Sequence, residues 1–123
     1  MNTLNVYRKW NIGSWVRNKL ADVSSNVFPV VAPENTKGDM IVYRRSSYER
    51  DFSHMGYYLD SATIEVVVIS ESYDRAAEIA EKVDDALSGT FREEGGRLVS
   101  QLAGGYEDFQ DGKYYNILQF KIS

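Results

Sequence analysis

The sequence predicts an α+β domain. It reads as a two-layer sandwich in which a mainly antiparallel sheet of about four to five strands carries two helices on one face and extends a long protruding hairpin. Three observations lead there. Ile64-Glu65-Val66-Val67-Val68-Ile69 is a β-branched run of the kind that fits a pleated, buried surface. Residues 73–87 gather their apolar members on one helical stripe. Asp111-Gly112, a strong tight-turn pair, separates two extended runs at the C-terminal end. The order is helix, strand, strand, strand, helix, strand, strand, over one domain spanning 1–123.

From Asn11 onward, Ile12, Trp15, Val16, Leu20 and Val23 recur at helical spacing, with Arg17, Asn18 and Lys19 toward the opposite side. This predicts a helix reaching about Asp22 and beginning as early as Thr3, with Gly13 a position where it can break. Tyr7 and Trp10 fall off the stripe, so they either cover the core from an irregular segment or face a partner. Ser24-Ser25-Asn26 stops the helix. Val27 to Ala32 is extended, and Pro29, which has no N–H to give a ladder, confines it to an edge. Pro33 to Gly38 is a turn, Met40 to about Arg45 a strand, and Tyr58 to Ser70 a longer strand.

In the longer strand Ala62, Ile64, Val66 and Val68 line one face. Thr63 and Glu65 begin the other face, but Val67 and Ile69 end it. A strand that turns apolar on both faces at one end is covered twice there. One cover is the following helix, and the other is a candidate neighbouring subunit. Ser72 is placed to cap that helix, and Asp74, Glu78 and Glu81 put negative charge early in it. Tyr73, Ala76, Ile79, Ala80, Val83, Ala86 and Leu87 fall within an arc of about 140°. Gly89 stops the helix. Glu94-Gly95-Gly96 is a turn, Leu98 to Phe109 and Lys113 to Ile122 form the hairpin, and Gly104-Gly105 marks a bulge or bend.

Composition excludes several functions. Net charge is −4, so the chain lacks the basic balance that supplies a dedicated nucleic-acid binder with its phosphate affinity. Cysteine is absent, which removes disulfides, thiolate metal sites and thiol nucleophiles together. No apolar run approaches the roughly 18 residues of a membrane span, and the N-terminus has no signal-peptide core, so cytoplasmic synthesis is expected. Nine tyrosines exceed what a core of this size needs. Such side chains suit both strands and surfaces that become buried on assembly.

Catalytic signatures are missing. There is no Gly-rich phosphate loop, no Gly-x-Ser-x-Gly elbow and no His-Glu-x-x-His, and the one histidine, His54, sits in a polar connector. Asp84-Asp85 and Glu93-Glu94 are sequence neighbours whose side chains diverge, and Glu71 and Asp74 are explained by a helix start. No catalytic residue, cofactor site or metal ligand is assigned.

The connector from Arg44 to Tyr58 is richer. Arg44, Arg45, Tyr48, Arg50, Phe52, Met55, Tyr57 and Tyr58 are residue types enriched in interface cores. Arginine interleaved with aromatics also suits single-stranded nucleic acid, although Glu49 and Asp51 dilute that reading. A solvated hairpin with locally paired charges is the plain alternative. A protein interface fits best, and these eight residues with Val67 and Ile69 are the candidate assembly residues.

Four stretches give the chain a family likeness. They are Phe28-Pro29-Val30-Val31-Ala32-Pro33, Gly38-Asp39-Met40-Ile41-Val42-Tyr43, Ile64 to Ser70, and Ser72-Tyr73-Asp74-Arg75 through Ala86-Leu87-Ser88-Gly89. Over about Val27 to Gly89 the chain resembles the bacteriophage tail-completion, or tail-terminator, proteins that join tail to head, many of them prophage-encoded. The N-terminal helix and final hairpin agree only in type and order. The resemblance implies a subunit assembling into a ring, commonly of six, that ends the tail tube and meets the tube and connector proteins. It also implies a lumen through which DNA passes without specific binding, no catalysis, no cofactor and no membrane. Assembly in the bacterial cytoplasm and residence in the tail or neck of the virion follow from it. Another small neck or minor tail component is the alternative within that class, and a small ligand-binding or regulatory domain the alternative outside it.

Overall fold

The computed structural model describes residues 12–52, 58–93 and 96–123, of which 48–52, 58–60, 93 and 96 are described as backbone only. The elements are α1 (Ile12–Leu20), β1 (Val27–Pro29), β2 (Met40–Phe52), β3 (Tyr58–Ser70), α2 (Tyr73–Leu87), β4 (Gly89–Glu93), β5 (Gly96–Gln110) and β6 (Lys113–Ile122). Among the described residues the architecture is α+β, with two helices and a curled half-barrel sheet of six strands ordered β1-β2-β3-β6-β5-β4. Every neighbouring pair is antiparallel except β1 with β2.

Six strands exceed the four to five expected; the added one is β4, and β1 and β2 differ from expectation in length. β4 follows α2 directly; Gly-Thr-Phe-Arg-Glu has one large apolar residue and so no readable alternation. β2 runs on through the polar connector to Phe52, pairing with β3 as far as Phe52 opposite Tyr58, with a register shift between Arg45 and Ser47. β1 is shorter than expected, because Val30 turns out of the strand with φ 65. Helix α1 keeps Gly13 inside it without a break and ends at Leu20. Its proposed earlier start, with Tyr7 and Trp10, lies outside the described residues.

The core lies on the helix-bearing face. Cross-strand register sets Tyr43, Val66 and Leu118 in one row and Ile64 and Phe120 in the next. Against them pack Ile12, Trp15, Val16 and Leu20 of α1 and Ala76, Ile79, Ala80, Val83 and Leu87 of α2. Each fully buried large aliphatic or phenylalanine side chain contributes roughly 1.5–3 kcal/mol. The alanines of α2 let its backbone approach β3 and β6. Trp15 meets Phe91 of β4 edge-on at 5.3 Å, and Lys19 Nζ sits 4.5 Å from that ring, so the short strand is tied to α1.

The termini of α2 follow the sequence. Ser72 Oγ accepts the Arg75 N–H at 3.3 Å, and the Ser88 N–H donates to the Asp84 carbonyl at 2.9 Å. Tyr73 departs from expectation. It is half-exposed instead of filling the apolar arc, with its ring edge-on to Tyr114 of β6 at 5.6 Å.

Two turn features also match. Asp111 and Gly112 have φ 53 and 78, the paired positive values of a type I′ hairpin. A register shift falls between Leu102 and Gly104, next to the Gly-Gly pair. Gly105 lies opposite Leu118, and a Cβ there would be driven into the Ile117 carbonyl, whereas a Cβ on Gly104 meets nothing within 4 Å. Gly105→Ala should therefore destabilise by about 1–3 kcal/mol, since β6 backbone must shift, while Gly104→Ala stays within about 0.5 kcal/mol. Urea melts of the two variants side by side check this.

Candidate functional site

The sheet places three features where a partner can reach them. The first is the second face, away from the helices. Register forms the row Val42–Val67–Ile117–Tyr106 across four strands, and beside it the row Met40–Ile69–Tyr115. Met40 and Ile117 are 5% exposed although both helices pack on the opposite side. Val42, Val67, Ile69 and Tyr115 are half-buried, and Tyr106 is 59% exposed. Farther along, the face turns polar with the row Arg44–Glu65–Gln119. The change from apolar to polar expected along β3 is thus a property of the whole face.

The second feature is the β2–β3 ribbon. β6 ends at Ile122 opposite Ala62, and β2 and β3 continue paired beyond that point. Tyr48, Arg50 and Phe52 lie on this extension opposite Ala62, Asp60 and Tyr58. Met55 and Tyr57 lie outside the described residues, as does His54. Arg44 and Arg45 are exposed at the ribbon's base. Arg44 Nη2 lies 3.3 Å from Glu65 Oε1, an exposed guanidinium against a largely covered carboxylate. Arg45 helps line a groove of about 550 Å³ with Gly13, Pro29, Val30, Tyr43 and Ile64. Of the ten expected residues, Arg44, Arg45, Tyr48, Arg50, Phe52 and Tyr58 thus lie on the ribbon or its base and Val67 and Ile69 on the second face, while Met55 and Tyr57 are outside the described residues.

Sequence reasoning missed the third feature, the sheet end beside the start of α2. Tyr73, Tyr114 and Phe109 form a chain of rings there, with centroids 5.6 and 4.7 Å apart. Phe109 is 56% exposed. A groove of about 360 Å³ runs between Tyr73, Ala77, Tyr106, Glu107 and Asn116. The signal was present, since Tyr106, Phe109, Tyr114 and Tyr115 cluster around the predicted turn, but strand propensity explained them equally well.

The same end carries a polar latch. Asp39 Oδ1 accepts the Ser70 hydroxyl at 2.6 Å, and Asp39 Oδ2 lies 2.6 Å from Arg75 Nε. Ser70 Oγ in turn accepts the Ser72 N–H at 3.1 Å, and Asn26 Nδ2 donates to the Asp39 carbonyl at 3.2 Å. The Ser70 hydroxyl, and then the Arg75 guanidinium, hold the Asp39 carboxyl below the usual range despite partial burial; Asp39 raises Arg75 correspondingly. Tyr73 is raised by its hydrogen bond to Glu107 and that residue's charge. Each of these shifts has a local structural cause. Among the described residues no group of three or more His, Cys, Asp or Glu could hold a metal ion.

No protein-family model matches the chain, and no curated protein matches it. Among solved structures, the chain is similar to one in the "Virion of native gene transfer agent (GTA) particle", with a TM-score of 0.65 and 18% identity, covering 95% of this chain and 89% of that one. At this identity the likeness establishes a shared fold.

The latch generates a pH dependence. The Asp39 pKa is lower in the folded chain than in the unfolded one, so its stabilisation is complete above the unfolded value of about 4 and is lost as pH falls through the folded value. Asp39→Asn should cost about 1–2 kcal/mol at pH 7 and flatten the acid limb of the stability profile. Denaturant melts of both proteins between neutral and acid pH measure the difference.

Proposed function

We propose that this chain is a structural protein of a tailed-phage or related virion particle, acting as one domain whose copies form a ring that ends the tail tube and joins tail to head. The observation that carries the reading is the fold likeness, over nearly the whole chain, to a chain of a gene transfer agent virion. Two features of the molecule support it. A β-ribbon extends past the end of the sheet, and a second face presents an apolar row with no helix against it among the described residues. A ring subunit needs lateral surfaces of this kind, and apolar burial supplies the association energy while arginines fix orientation.

The partners in this reading are further copies of the chain, the tail tube protein and the head–tail connector, with DNA passing through the lumen unbound. The net charge of −4 suits a lumen that does not retain DNA. The groove beside Arg45 and the groove beside Tyr73 are open surface features, not the enclosed apolar pocket that a small-ligand module requires.

Removing residues 48–57 tests the ribbon. Ser47 stays paired with Thr63, residues 58–61 close the shortened hairpin, and buried Ala62 keeps its place opposite Ile122 ahead of the helix-facing rows from Ile64 onward. The expected product is a folded monomer, with unfolding still cooperative, that forms no rings by mass photometry or negative-stain microscopy. Rings of unchanged stoichiometry would remove the ribbon from the lateral contact.

A further inference from the structure

Strand β5 carries opposite chemistry at its two ends. Near its start Arg97 lies directly opposite Arg92 of the edge strand β4, and both are exposed. Neither has an ion-pair or hydrogen-bond partner among the described residues. Like charges directly opposite in an antiparallel pair are destabilising. Their strand neighbours Leu98, 1% exposed, and Phe91 pack with the core, so the two arginines stand on the outward face. Among the described residues nothing accounts for that placement.

Near its end β5 presents Tyr106 and Phe109, 59% and 56% exposed, beside the exposed carboxylates Glu107, Asp108 and Asp111. Tyr106 and Asp108 share the outward face with the arginine pair, since they lie opposite Ile117 and Tyr115 of the second face. Lys113 is the sole cation in this hairpin end. Carboxylates match the guanidinium fork, and a tyrosine or phenylalanine ring accepts its flat face.

The two patches cannot meet within one molecule. They lie on one continuous strand, and at roughly 3.3 Å per residue Arg97 and Asp108 are about 35 Å apart. A second copy brings them together, head to tail. Contacts of this type repeat, closing into a ring where the rotation per subunit allows. The aromatic rings on the complementary patch favour another copy of this chain over a polyanion, which would call for further basic groups beside Arg92 and Arg97.

We propose that the Arg92–Arg97 pair of one copy docks on the Tyr106–Asp108 patch of the next. This rests on the self-assembly reading above and names the surfaces that meet. The test is a charge exchange, read as weight-average mass by sedimentation equilibrium up to about millimolar protein at about 50 and about 500 mM salt. R92E/R97E and D108K should each weaken association by roughly tenfold to a hundredfold, with far-UV dichroism unchanged. Mixing the two variants, or combining all three substitutions in one chain, should restore it. Wild-type oligomers that persist unchanged in both variants overturn this contact and leave ring formation standing. A wild-type chain monomeric throughout overturns the contact and the self-assembly reading together. Duplex-DNA binding abolished by R92E/R97E with association unaltered assigns the arginines to a polyanion and overturns the proposal.

Discussion

The pairing of β3 with β6 is the constraint on which the rest of the molecule depends. It joins residues far apart in the chain, from Ala62 opposite Ile122 to Ser70 opposite Tyr114, across the α2 crossover. Both strands are bonded on two sides, so their side chains set every row that crosses the sheet. A slip of one position would carry Val66 and Phe120, fully buried under the helices, to the second face and bring Val67 and Ile117 inward. The register therefore decides the core, the composition of the exposed face and which residues arrive at each end.

Much of this was legible because the buried parts obey simple periods. The α2 stripe, its Ser72 cap, the limits of β3 and β6, the Asp111-Gly112 turn and the Gly104-Gly105 irregularity all follow from local chemistry. What escaped notice was structure without an apolar period. β4 is short and mostly polar, and the second half of β2 is a ribbon beyond the core, where alternation carries no burial signal. Val30 was unreadable for a different reason, since a β-branched residue at positive φ contradicts its own preference.

The candidate surface divides in the same way. Val67 and Ile69 could be singled out from β3 alone, because two apolar residues break a polar face. Their partners Val42, Ile117 and Tyr115 needed the register, which no single segment encodes. The Asp39 latch is similar: its three members come from a strand start, a strand end and a helix start, and only the folded chain brings them within hydrogen-bond distance. The ring cluster at the hairpin end was hidden by an ambiguity of tyrosine, which is at home in a strand and in a contact surface alike.

The β1 border of the sheet has a consequence for how large an assembly can grow. It is three residues long, ends at a proline, and is followed by Val30 turning sharply away with its carbonyl-bonded neighbour Val31. Over these residues the margin gives an incoming strand almost no backbone to zip against, and beyond them the bare edge of β2 from Arg44 to Phe52 is rich in charged residues that discourage runaway strand addition. In the proposed ring, contact on that side would run through protruding side chains instead, and an assembly limited by such geometry would stay countable.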